Sequence, residues 1–139
     1  MSGVYERNRN LSEREFYTNA VSLRVEVNRL MASSTVVPKS YRLLNAVPTV
    51  ETARSVVHNI VRADSFYPNT EENVQQRRYF LTMAIADCRQ LEQDFQCLLA
   101  LGLGNPKRFE AVVDQIEREV ALLKGSRKGV RLIGRKAGV

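Results

Sequence analysis

Residues 69–106 read NTEENVQQRRYFLTMAIADCRQLEQDFQCLLALGLGNP, and this stretch decides the fold. Apolar side chains recur along it at steps of three and four residues, which is the spacing of one face of an α-helix. Asn69 followed by Glu72 is typical of a helix start, and the closely spaced glycines near the end of the stretch predict where the helix stops. We therefore predict one long helix over about 70–101. Its buried stripe comprises Val74, Leu81, Ala84, Ile85, Cys88, Leu91, Phe95, Leu98 and Leu99.

A further helix is predicted directly after this one. Asn105 is a good N-cap residue, and Pro106 suits the first turn, where its missing N–H costs nothing. The apolar spacing then continues up to Gly125, where the helix is expected to end. Its buried side comprises Phe109, Val112, Val113, Ile116, Val120 and Leu123.

Two more helices are predicted upstream. One covers about 49–66, between Pro48 and Pro68. The first covers about 12–32 and starts with Ser12 and Glu15, which are spaced as a capping box. Their predicted buried residues are Phe16, Ala20, Leu23, Val27 and Leu30 in the first helix, and Val50, Ala53, Val57, Ile60 and Val61 in the second.

The connection between these two helices is longer than a tight turn and carries several apolar side chains. Tyr41, Leu43, Leu44 and Val47 are expected to pin it to the bundle.

Four amphipathic helices without a strand signal predict an all-α fold, an antiparallel up-and-down four-helix bundle. We divide the 139 residues into an N-terminal arm (1–11), the bundle (12–124) and a basic flexible tail (125–139). The N-terminus holds Glu6 and Arg7 instead of an apolar signal segment, and no uncharged stretch is long enough to span a bilayer. We expect a soluble, cytoplasmic protein with no membrane partner.

The residue inventory argues against an enzyme, a metal site or a cofactor. His58 is the single histidine, and with two cysteines it cannot complete a closed zinc site. Cys88 and Cys97 are predicted to face opposite sides of one helix as free thiols, with Cys88 in the core. A pair of His58 with either thiol stays open as a catalytic alternative, but a boundary position for His58 is the simpler interpretation.

Positive charge is concentrated at the C-terminus. The chain has a net charge of +6, and residues 124–139 contain six basic and no acidic residues, so the preceding part is formally neutral. Arginine binds phosphate oxygens bidentately, and a flexible basic tail can adapt to nucleic acid. A terminus that only keeps the protein soluble is the alternative.

The order of several motifs adds a family resemblance. VPKSYR spans residues 37–42, FYP spans 66–68, TEE spans 70–72, RR spans 77–78 and AIADCRQL spans 84–91. In this order, and with four helices, residues 12 to 125 resemble the accessory variability determinant proteins of diversity-generating retroelements.

The resemblance implies a bundle that assembles into a pentameric barrel. It also implies that the protein binds the retroelement's reverse transcriptase, its structured RNA and possibly cDNA, and supports mutagenic retrohoming without being the polymerase. Four-helix proteins encoded in ribosomal RNA intervening sequences share the architecture, so an interaction bundle without a reverse transcriptase partner stays open. The candidate binding residues are Lys39, Arg42, Arg77, Arg78 and Arg89 by resemblance, and Lys124, Arg127, Lys128, Arg131, Arg135 and Lys136 by charge.

Overall fold

The computed structural model describes residues 11–133, and four long helices account for most of them. We label them α1 (Glu15–Ala32), α2 (Val47–Asp64), α3 (Glu71–Ala100) and α4 (Pro106–Lys128). This part of the chain contains no strand, and none of its helices is long and apolar enough to cross a membrane. The prediction of an all-helical bundle is confirmed.

The four helices form a closed ring in which sequence neighbours run antiparallel. α1 packs against α2 and α4, and α3 packs against the same two helices. Glu26, in the second half of α1, pairs with Arg108 at the start of α4. Asn19, near the start of α1, bonds Glu119 in the second half of α4, so these two helices are antiparallel. Contacts between α2 and α3, and between α3 and α4, likewise join early residues of one helix to late residues of the next.

Large apolar side chains from all four helices meet in one core. Phe95 of α3 and Phe109 of α4 pack edge to face, with their ring centroids 5.0 Å apart. Almost all of the predicted apolar positions are buried or half-buried. Val61 and Leu99 are exceptions, because each lies on the edge of its stripe and remains exposed. The largest fully buried apolar side chains include Leu23, Leu30, Ile60, Leu81, Leu91, Leu98, Ile116 and Leu123.

The connection between α1 and α2 differs from its prediction. It is anchored by Val36 and Val37, which are buried, whereas Leu43 and Leu44 are 77% and 78% exposed. The expectation that the leucines pin the connection is therefore wrong; Val47 is also exposed, whereas Tyr41 does pack against the core.

A π-helical turn explains where these leucines point. A short helical turn, Lys39–Tyr41, leads into a π-helix, Arg42–Ala46, that continues directly into α2. The N–H of Val47 donates to the carbonyl of Arg42, five residues back. Pro48 has no N–H to donate, and in a regular α-helix its ring would clash with the carbonyl four residues before it. The wider turn accommodates the proline and turns the preceding side chains away from the core.

The helix starts were predicted with mixed success. Asn105 caps α4 as expected, because its side chain accepts hydrogen bonds from the N–H groups of Lys107 and Arg108. The cap of α3 is Thr70, one residue later than predicted. The capping box at the start of α1 is wrong, since the N-cap residue there is Arg14 and its side chain makes no capping bond.

Candidate nucleic-acid interface

The structure separates the candidate binding residues into three regions. Arg77, Arg78, Arg127, Lys128 and Arg131 meet at one end of the bundle, where α2 ends, α3 begins and α4 ends. We call these five residues, together with Arg14 at the start of α1, the basic end. The Lys39–Tyr41 turn and Arg42 lie at the opposite end, and Arg89 lies between the two ends.

Arg77 fastens the end of α2 to α3. Its Nη1 donates hydrogen bonds to the carbonyls of Phe66, at 3.0 Å, and Ala63, at 3.4 Å. Its Nη2 lies 3.7 Å from Oδ1 of Asp64. Burial lowers the pKa of Arg77, Asp64 opposes this change, and the positive charge of Arg14 adds to it. Arg77 therefore adds a donor to backbone carbonyls at the end of α2 and in the loop after it.

The described part of the predicted flexible tail is ordered and packs against the bundle. α4 continues to Lys128, beyond the end predicted at Gly125, and Val130 is buried. Nη2 of Arg78 donates to the carbonyl of Val130 at 2.8 Å, and the N–H of Ile133 donates to the carbonyl of Pro68 at 2.9 Å. A flexible tail starting at residue 125 is thus wrong for residues 125–133. Arg135 and Lys136 lie outside the described residues, as do residues 1–10 of the proposed arm.

Three cations of the basic end keep their charge available. Arg14, Lys128 and Arg131 are exposed, and their side chains make no hydrogen bond or ion pair among the described residues. Arg127 is half-buried and bonds the hydroxyl of Thr82 at 3.1 Å. Lys124 is exposed one turn before Lys128. Acidic residues also lie at this end of the bundle, namely Glu13, Asp64, Glu71 and Glu72.

Arg89 is engaged in an ion-pair cluster. Its Nη1 lies 3.1 Å from Glu92, on the same helix, and 3.0 Å from Glu117 of α4. The hydrogen bond to Glu92 raises the pKa of the Arg89 guanidinium. Two carboxylates next to one guanidinium leave little attraction for a phosphate, so the local charge at Arg89 suits the contact between α3 and α4 better than nucleic-acid binding.

We call the far end of the bundle the apolar end because it carries exposed apolar side chains, next to cations that include Lys107 and Arg108 at the start of α4. Lys39 is exposed, and Arg42 is half-buried with a buried Nε that lacks a partner among the described residues. Leu43, Leu44 and Val47 are exposed beside them. This combination is typical of a surface that contacts another protein.

The residues considered for catalysis are kept in different environments. Cys88 is buried in the core, and burial raises the pKa of its thiol far above the usual range, which keeps it protonated and unreactive. Cys97 and His58 are exposed. Both cysteines are free, as predicted. Among residues 11–133, no three His, Cys, Asp or Glu side chains are grouped so that they could hold a metal ion.

One buried carboxyl group was not predicted from the sequence. Glu119 of α4 is fully buried; its Oε1 accepts a hydrogen bond from Asn19, and its Oε2 has no partner in the described part of the chain. Burial raises the pKa of Glu119 to about 7. The signal was present, because Glu119 lies three residues after Ile116 and four before Leu123, on the apolar stripe.

Comparison of the chain with protein-family models, with curated proteins and with solved structures finds no match. The fold and the site geometry define a helical bundle with a cationic end and an apolar end.

Proposed function

We propose that the chain is a non-catalytic accessory subunit of a diversity-generating retroelement. It binds the structured RNA and the reverse transcriptase of the element and supports mutagenic cDNA synthesis. The observation that carries the proposal is the basic end, where cations from the starts of α1 and α3 and from the end of α4 meet on one surface. The ordered motifs that resemble the accessory variability determinant family supply the identity of the element.

The basic end suits a phosphate backbone because its exposed cations lie on rigid elements. Hydrogen bonds of Arg78 and Arg127 hold the end of α4 and the residues after it against α3. Lys128 and Arg131 are thereby presented at fixed positions. Fixed cations lose less conformational freedom when they meet phosphates than cations on a free tail do. Arg135 and Lys136 follow in sequence and add two further positive charges.

The apolar end suits a protein partner. Leu43 and Leu44 are the most exposed large apolar side chains of the described chain, and Val47 extends their surface. We assign this end to the reverse transcriptase, which leaves the basic end free for RNA. Self-assembly of the bundle is part of the same proposal, with Val25 and Val61 exposed on α1 and α2 as the contact surface.

RNA titrations at several salt concentrations test the proposal. If six basic residues of the C-terminal segment meet phosphates, the logarithm of affinity for a structured RNA falls with the logarithm of salt concentration at a slope of about −5. The double variant Lys128→Gln/Arg131→Gln should make this slope shallower by about 2. The double variant Arg54→Gln/Lys107→Gln removes the same charge from exposed sites on the bundle side and at the start of α4, and is the matched control.

Equal slopes for the two double variants would contradict the assignment of RNA to the basic end. Co-purification with a reverse transcriptase encoded beside the gene tests the second partner. Loss of that complex in Leu43→Ser/Leu44→Ser, with RNA affinity unchanged, is the expected result. RNA affinity no higher than that of an unrelated protein of equal charge would favour an interaction bundle without a retroelement role.

A further inference from the structure

A cavity of about 530 Å³ opens at the basic end. Leu11, Arg14 and Phe16 form the wall contributed by the start of α1. Tyr67 and Pro68, in the loop after α2, form a second wall, and Gly129, Val130, Arg131 and Ile133 form the third. The volume is within the range of sites that enclose a small organic ligand.

The charges that line the cavity favour an anion. Arg14, Arg77 and Arg131 face it, and Asp64 is the one carboxylate among its lining residues. Arg14 lies close enough to Arg77 for the repulsion between them to lower the pKa of Arg77. Nη1 of Arg77 is used by the two carbonyls and its Nη2 is paired with Asp64, so Arg14 and Arg131 are the cations of the cavity that have no partner among the described residues.

The same cavity also presents an apolar and aromatic surface. The Tyr67 side chain is 54% exposed, and Phe16 is half-buried next to the core. Val130 and Ile133 add aliphatic contacts. An exposed aromatic ring beside several arginines is the combination with which proteins bind single-stranded nucleic acid, since the ring stacks on a base and the arginines hold the phosphate.

We infer that this cavity binds one unpaired nucleotide of an RNA strand. Its base stacks on Tyr67, and its phosphate lies between Arg14 and Arg131. The inference rests on the proposed RNA-binding function and adds to it a preference for a single-stranded segment. A base inside a duplex is stacked and paired, and therefore cannot enter the cavity.

Fluorescence anisotropy with the full chain tests the inference. The probes are a labelled unstructured RNA of about eight nucleotides and a blunt-ended RNA duplex of similar charge, in which every nucleotide is paired. AMP serves as a competitor that distinguishes a free nucleotide from a nucleotide within a strand. Thermal melts of every variant establish that the fold is retained.

Two variants probe the two halves of the cavity. Tyr67→Leu keeps an apolar side chain but removes the ring, and should weaken binding of the single strand at least about fivefold while leaving duplex affinity unchanged. Arg14→Gln should weaken binding of the single strand by a similar factor. Arg54→Gln, at an exposed position on α2, is the matched control for lost charge and should change affinity for the single strand less than about twofold.

Each remaining outcome counts against the inference. Single-strand affinity that is unchanged in both Tyr67→Leu and Arg14→Gln overturns it, and retained duplex binding would then leave the proposed function standing. Binding of AMP without competition by the RNA strand identifies a free nucleotide as the ligand and overturns the assignment to RNA. Absence of binding to either RNA removes the proposed function and the inference together.

Discussion

Asn19 donates a hydrogen bond of 2.9 Å from its side-chain amide to Oε1 of Glu119, which lies 100 residues further along the chain. This bond joins α1 to α4 inside the bundle and satisfies one oxygen of a fully buried carboxyl group. Gln115 adds to the same contact, because its side-chain amide donates to Asn19 Oδ1 at 3.3 Å.

The first prediction concerns the pH dependence of stability. Burial raises the pKa of Glu119 from 4.5 to about 7, and the bond from Asn19 lowers it by less. A group whose pKa is raised on folding contributes stability that is fully present below the unfolded pKa and is lost as the pH rises through the folded pKa. As the pH rises from 4.5 to 7, ionisation of this carboxyl group should therefore lower the free energy of unfolding by up to about 3 kcal/mol.

Urea unfolding of wild type and Glu119→Gln at pH 5 and pH 8 measures this effect. The variant should be more stable than wild type at pH 8, and the difference should shrink at pH 5. Glu110→Gln, at an exposed position on the same helix, is the control and should leave the pH dependence as in wild type. A constant difference between wild type and Glu119→Gln at both pH values would rule out titration of this group.

The second prediction concerns the core. Leu91 is fully buried on α3, so Leu91→Ala should lower the free energy of unfolding by about 2–5 kcal/mol. Leu91→Asp buries an unpaired charge and should prevent folding. Leu44→Ala makes the same truncation at a side chain that is 78% exposed and should change stability by less than about 0.5 kcal/mol. Similar losses for the two alanine variants, measured by denaturant titration, would mean that the core is wrongly located.

The third prediction compares two glycines in the turn before α4. Gly102 and Gly104 both have a positive φ, of 78° and 75°. A Cβ at Gly102 would meet no atom within 4 Å, whereas a Cβ at Gly104 would overlap the ring of Phe109. Both alanine variants carry the strain of a left-handed backbone, and Gly104→Ala must also displace a core ring. Its loss of stability should exceed that of Gly102→Ala by about 1 kcal/mol or more, and thermal melts that show the reverse order would be inconsistent with the geometry.

The fourth prediction concerns the thiols. Cys97 is exposed and should react with a thiol reagent in the native protein. Cys88 is buried with a raised pKa and should react only after unfolding. Titration with a chromogenic disulfide should count one thiol in buffer and two in urea. Cys97→Ser is the control, because the folded variant should not react with the reagent. Rapid reaction of this variant would show that Cys88 is accessible.

Local spacing was enough to predict the core, because a helix buries one stripe and the stripe repeats within a few residues. Leu81, Leu91 and Leu98 were predicted from this spacing and are buried. The burial of Glu119 could have been predicted from the same spacing, but a glutamate was not expected among the apolar residues of the stripe. Leu43 and Leu44 were misplaced because the π-helical turn ahead of Pro48 changes the direction of side chains in a way that helical periodicity does not encode.

The candidate site depends on contacts between distant parts of the chain, and these could not be predicted from spacing. Arg78 reaches the carbonyl of Val130, 52 residues later, and Arg127 reaches Thr82, 45 residues earlier. The C-terminal segment was predicted to be a flexible tail because of its charge alone, but several of its cations are held in place. Arg14 had no sequence signal, since its place at the basic end arises from the packing of α1 against α2 and α4.

The hydrogen bond from the N–H of Ile133 to the carbonyl of Pro68 joins the last described residue to the loop after α2, so translation completes the bundle before it completes the cavity. The four helices can pack as soon as α4 has left the ribosome, but the third wall of the cavity exists only after residues 129–133 have emerged. A nascent chain truncated before Val130 would therefore have a bundle whose cavity lacks its third wall. Binding at this cavity would then distinguish chains that have been translated past residue 133 from shorter products.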